Sequence, residues 1–157
     1  MASTITSGTL TVKITEEIIL NGRDQGAINE LSIGSVNEIS KRIVSVLTAG
    51  IELMKFHDTA AAGQFVYGDV RYIRITNKDD ANNVYLTFKN AQNDEFIVLL
   101  DYGQSFIYNS NFDGGVVNTF DANTTSAAST DNLGTLTSIS AKADTAAVDV
   151  EIFVASV

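Results

Sequence analysis

Few residues in this chain have the type and spacing that chemistry needs. His57 is the only histidine, so a Ser-His-Asp relay would have to run through it. Asp58 follows it directly, and a sequence neighbour cannot turn back to orient the ring without an unusual bend. No G-x-S-x-G surrounds any serine, and a triad must satisfy several geometric conditions at once. A solvated histidine at a strand end is the simpler reading. One imidazole cannot make a histidine metal site. Cysteine is absent, which removes thiol nucleophiles, thiolate zinc and disulfides.

Carboxylates and amides form two oxygen-rich groups, Asp79-Asp80 with Asn82-Asn83, and Asp113 with Asp121 and Asn123. Their oxygens could hold calcium, but neither follows the D-x-[DN]-x-[DN]-G spacing with its closing Glu. Asn and Asp are also what turns select for their own backbone hydrogen bonds, and that cause outweighs the ion. Acid pairs for glycoside cleavage leave no fixed spacing, and nothing here favours one. Gly114-Gly115 is a lone pair, not a phosphate cradle. The sequon Asn123-Thr124-Thr125 matters only in a secreted eukaryotic chain. Tyr67, Tyr72, Tyr85, Tyr102 and Tyr108 could line a sugar face, although strand aromatics more often pack across strands. No catalytic, cofactor-binding or metal residue is nominated, no cofactor is implied, and the expectation is a protein that is not an enzyme.

The elements that would position these residues follow from composition and periodicity. The 157 residues, 45% hydrophobic, suffice for one domain spanning 1–157 with a buried core. Ten Lys and Arg against nineteen Asp and Glu give a net charge of −9, which argues against nucleic acid and against anionic membranes. No apolar run approaches a membrane span. Met1-Ala-Ser-Thr-Ile-Thr-Ser7 lacks the basic start and apolar run of a signal peptide. The expected chain is soluble and made in a cytoplasm. Proline is absent, so glycine, Asn and Asp must make the turns.

Short alternating segments rich in Val, Ile, Thr, Phe and Tyr dominate, a strand-and-turn signature. Leu10, Val12 and Ile14 share one face, with Thr11, Lys13 and Thr15 on the other, and Asn21-Gly22 supplies a turn. A segment around Leu31 and Ile33 is expected to end at Gly34. Residues 36–47 fit helical spacing through Val36, Ile39, Ile43, Val46 and Leu47, and equally a strand; the β-branched content favours a strand from about Lys41. Alternation continues through 51–56, 70–76 and 84–89. Phe96-Ile-Val-Leu-Leu100 is a continuous apolar run, as expected of a strand buried on both faces or pressed on a partner. Residues 109–132 are polar and exceed the usual connection length, which marks a functional loop, an arm or a mobile segment. Leu136, Ile139 and Ala141, then Val148, Val150, Ile152 and Val154, resume the period of two. Eight to nine strands with almost no helix predict an all-β, single-domain β-sandwich or jelly-roll-like fold.

The most distinctive stretch is Val70-Arg-Tyr-Ile-Arg-Ile-Thr-Asn77, an Asp/Asn turn, Val84-Tyr-Leu-Thr-Phe88, and Glu95-Phe-Ile-Val-Leu-Leu-Asp-Tyr-Gly-Gln-Ser-Phe-Ile-Tyr108. Lys41-Arg-Ile-Val-Ser-Val46 and Ile51-Glu-Leu-Met-Lys-Phe56 stand before it. This succession, over roughly residues 36–157, resembles small virion structural proteins of tailed, particularly marine, bacteriophages. The resemblance implies a capsid decoration or cement protein in the virion, assembled in the host bacterial cytoplasm. Its implied partners are the major capsid protein or other virion proteins, and copies of itself. Residues 1–9 and 109–132 would be arms that order on the lattice. Rival expectations are a tail or head–tail connector component and a receptor or glycan-binding module.

Overall fold

The computed structural model describes residues 5–91, 93, 95–109 and 136–157. Nine strands form two facing sheets. The chain supplies β5 (Glu38–Val46), β6 (Ile51–His57), β7 (Phe65–Val66), β8 (Val70–Asn77), β9 (Val84–Asn90), β10 (Glu95–Leu100), β11 (Ser105–Asn109), β12 (Leu136–Ala143) and β13 (Val148–Ser156). One sheet runs β10-β9-β12-β6-β7 and the other β11-β8-β13-β5. All pairings are antiparallel except the short β6–β7 pair. The β-sandwich expectation therefore holds.

Alternation explains why these segments become half-buried strands. Val148, Val150, Ile152 and Val154 of β13 point inward, as do Val84, Leu86 and Phe88 of β9, and all are buried. Phe88 sits at the centre. It stacks on Phe96 at 4.5 Å between centroids and 8° between planes, and meets Phe106 at 5.1 Å. Such aromatic contacts add to the gain from area burial.

Several connections cross from one sheet to the other, and they gather at one end. The Asn77–Asn83 arch joins β8 to β9, and Asn77 is fully buried beneath it. Its amide donates to the Asn82 and Leu100 carbonyls at 2.9 and 3.4 Å, and its Oδ1 accepts from the Asp79 N–H. Asn83 and Asp144 exchange hydrogen bonds that tie this arch to the β12–β13 turn. On the open side, Arg42 of β5 donates to the Leu53 carbonyl of β6.

Four further strands stand outside the sandwich. β1 (Gly8–Glu16) and β4 (Ala27–Val36) form a long antiparallel ribbon, tipped by the small hairpin of β2 (Ile19–Leu20) and β3 (Arg23–Asp24). The tip turn is Asn21-Gly22, both at positive φ, 52° and 74°. That is the conformation a two-residue hairpin loop demands and this dipeptide favours.

Four sequence expectations need correction. Gly34 does not end its strand: β4 runs on to Val36 through a bulge, with Ser35 at φ 61° taking up the extra residue. The strand expected from Lys41 begins at Glu38, because pairing with β13 continues to Ser156. Of the two readings of 96–100, burial of β10 on both faces does not hold, since Ile97 is 62% and Leu99 50% exposed, which leaves the reading of a strand pressed on a partner. Of the expected arm 1–9, Gly8 and Thr9 already belong to β1; the element that projects is the ribbon of residues 8–36. The expectation for 109–132 falls, beyond Asn109, outside the described residues.

Candidate interaction surface

Cross-strand register decides what the ribbon presents. Leu10 stands opposite Ile33, Val12 opposite Leu31 and Ile14 opposite Asn29, so one face is an apolar stripe. Thr11–Ser32, Lys13–Glu30 and Thr15–Ile28 form the other face, where Lys13 and Glu30 make an ion pair at 3.0 Å. The ribbon is therefore amphipathic across its width.

Only the base of the apolar stripe is covered. Leu10, Val12, Ile33 and Val36 pack on Tyr72, Ile107, Phe153 and Ala155, which lie on the outer face of the four-stranded sheet. Tyr72 and Phe153 meet edge-on at 6.0 Å. Burial beneath the ribbon raises the Tyr72 hydroxyl above its ordinary pKa, against the opposing field of Arg74. Beyond this base nothing covers the stripe among the described residues. Ile14 and Leu31 on the stripe and Ile18, Ile19 and Leu20 at the tip are exposed, Ile19 by 77%, and Ile28 is exposed on the other face. Large apolar side chains gathered this way mark a contact surface.

Beside the docked base lies a charged row. Arg74 donates to Glu151 at 2.5 Å and to the Thr76 hydroxyl at 2.5 Å, Thr76 meets Ser105 at 2.7 Å, and Lys41 reaches Glu151 at 3.5 Å. The Arg74 hydrogen bond holds the Glu151 carboxyl below its ordinary range, and Lys41 adds to this against a smaller desolvation effect. The row fixes the sheet surface on which the ribbon stands.

The residues singled out for chemistry end up apart. His57 closes β6, and the chain bends immediately after it. That bend, the condition the sequence reading set, brings Asp58 Oδ1 to 2.5 Å from His57 Nδ1. The same nitrogen lies 3.3 Å from the Thr59 N–H and 3.1 Å from its hydroxyl. Nδ1 cannot both accept from Thr59 and donate to Asp58, so the ring is shared between local partners and not oriented by one. A cleft of about 240 Å³ lies alongside, lined by His57, Tyr67, Leu136 and Thr137. The Thr137 hydroxyl there already donates to the Lys89 carbonyl at 3.0 Å.

Asp79 caps its own turn. Its Oδ1 accepts from the N–H groups of Asn82 at 2.7 Å and Ala81 at 2.8 Å, and these bonds hold its carboxyl below the ordinary range. No group of three His, Cys, Asp or Glu side chains placed to hold a metal ion occurs among the described residues. The group Asp113, Asp121, Asn123 and the pair Gly114-Gly115 lie outside them. The tyrosines do not share a face: Tyr72 is buried under the ribbon, Tyr108 packs beside Phe88, and Tyr85 stands on the outer side of the other sheet.

What the sequence reading missed is the ribbon as a surface. A signal was present, because Ile18-Ile19-Leu20 sits directly before the Asn21-Gly22 turn, where polar residues are the rule. No family model, curated protein or solved structure matches this chain.

Proposed function

We propose that this protein is a non-enzymatic structural component of a tailed-phage virion, a decoration or cement protein binding the major capsid protein lattice. The observation that carries the reading is the ribbon, anchored on the sandwich at its base, which exposes six Ile and Leu side chains along its length and tip. An anchored, extended element suits contact with a neighbouring subunit, through buried apolar area and backbone pairing. A net charge of −9 suits an outer surface better than one facing DNA. The mechanism is mechanical: bridging neighbouring capsomers so that the shell resists internal pressure.

Quantitative mass spectrometry of purified particles tests it. Copies in fixed ratio to the major capsid protein are expected. A copy number far below that ratio moves the protein to the tail or connector, and absence from the particle overturns the virion reading.

A further inference from the structure

A β-sandwich that is not closed into a barrel leaves strand edges, and natural proteins protect them with charge, shortness or cover. Here β7 is two residues long. β5 carries Glu38, Lys41 and Arg42, and Arg42 occupies a core-facing position in register with Ile152. Pairing β5 with a second β5 would also set like charges near each other at its centre. β10 differs. From Phe96 to Leu100 it has no charge, proline or glycine, and its register with β9 runs unbroken. Among the described residues no strand pairs with its other edge.

We propose that this free edge is a two-fold contact between two copies of the chain, β10 pairing antiparallel with β10. The strand is self-complementary in one register. Centred on Val98, Ile97 of one copy stands opposite Leu99 of the second, and Phe96 opposite Leu100. Core-facing residues then meet core-facing residues, and outward residues meet outward ones. A shift of one residue would set the two faces against each other. Centring on Ile97 would put Glu95 opposite Leu99, and centring on Leu99 would put Ile97 opposite Asp101. In the Val98 register the exposed Ile97 and Leu99 of both copies join one apolar strip, continued by Tyr85, which is opposite Leu99 on β9. Two five-stranded sheets become one. This also accounts for the buried-strand composition of 96–100, which one copy alone leaves half exposed.

Charge sets the conditions. The ends of the contact bring Glu95 near Asp101 of the second copy, and each copy carries −9. Added salt screens this repulsion, with a Debye length of about 8 Å at physiological ionic strength, so association strengthens with salt. The proposal does not rest on the virion reading, and its test uses the purified full chain without capsid.

Sedimentation velocity across a concentration series, at low and high salt, reads the dimer. The wild type is expected to self-associate, more tightly at high salt. Ile97→Lys with Leu99→Lys sets lysines opposite each other twice and is expected to weaken the dimer by about tenfold or more. Both side chains are exposed in the single chain, so the melting temperature at dilutions where the wild type is monomeric should hold. Ile43→Lys, equally exposed on the opposite edge, should leave the dimer intact. Hydrogen exchange provides a second readout, in which β10 amides gain protection as wild-type concentration rises. A wild type that stays monomeric overturns the proposal. So does a dimer that survives the double substitution, one lost equally in Ile43→Lys, or β10 exchange independent of concentration.

Discussion

The sandwich and the ribbon use the same residue types in the same alternating pattern, yet one buries its apolar face and the other displays it. In β13, Val148, Val150, Ile152 and Val154 are each at most 1% exposed. In the ribbon, Ile14 and Leu31 alternate just as regularly and stay open. The difference is the opposing layer. A sandwich strand faces a second sheet, whereas the ribbon faces one only as far as Leu10, Val12, Ile33 and Val36 reach. Alternation therefore reports that a segment has an apolar face, not that anything covers it. A two-stranded element alone is marginal in water. The ribbon's order comes from its docked base and from cross-strand pairs such as Lys13–Glu30.

The largest break in this comparison should come from the sandwich centre. Phe88→Ala removes the ring that stacks on Phe96 and touches Phe106 and Tyr108. Truncation of a fully buried aromatic destabilises by about 3–5 kcal/mol, and chemical denaturation followed by circular dichroism should show that loss. A change near zero would mean that the two sheets do not form a single cooperative core around this residue.

A smaller and local break belongs to the ribbon. A Cβ at Gly26 would fall 2.4 Å from the Glu16 carbonyl oxygen, where the ribbon joins its tip. Two rigid backbones cannot both hold there, so Gly26→Ala should part the strands around Glu16 and Ala27. Global stability should change by no more than about 0.5 kcal/mol, as for sites outside the core. Hydrogen exchange over residues 14–28 should accelerate clearly. A fall in global stability as large as that of Phe88→Ala would show the ribbon to be part of the cooperative unit.

How much of this was legible in the sequence depends on whether the information is local. The Asn21-Gly22 turn, the Asp79 cap and the inward set of β13 were readable, because each rests on a dipeptide, a short side chain or a period of two. What the ribbon presents was not, because neighbouring layers are chosen by tertiary packing. Gly34 looked like a terminator, but a bulge absorbs it. The start of β5 lay earlier than its β-branched run because β13 continued to offer pairing. His57 and Asp58 met because a bend follows the strand end, which no spacing rule records. β10 read as a strand buried on both faces or pressed on a partner, and its sequence carries that pattern although Ile97 and Leu99 are exposed in the single chain.

The finest test of the contrast is electrostatic, since the sandwich holds a carboxylate in a bonded row at the foot of the ribbon. Glu151 is bound by Arg74 and approached by Lys41, and its pKa lies below the ordinary value of 4.5. A group depressed in the folded state contributes stability that is present above its unfolded pKa and is lost as pH falls through the folded one. Glu151→Gln should therefore be less stable than the wild type near neutrality, and the gap should close as pH drops below about 4.5. Asp79 is depressed in the same direction by its backbone bonds, so some acid dependence should survive in the variant. The effect should be smaller than that of either preceding substitution, because the row lies at a surface where solvent screens it. Denaturation series at neutral and acid pH give the readout. A gap that stays constant with pH would mean that Arg74 holds Glu151 no more firmly in the folded chain than solvent does in the unfolded one, leaving the ribbon's foot positioned by its apolar contacts with Tyr72, Ile107, Phe153 and Ala155.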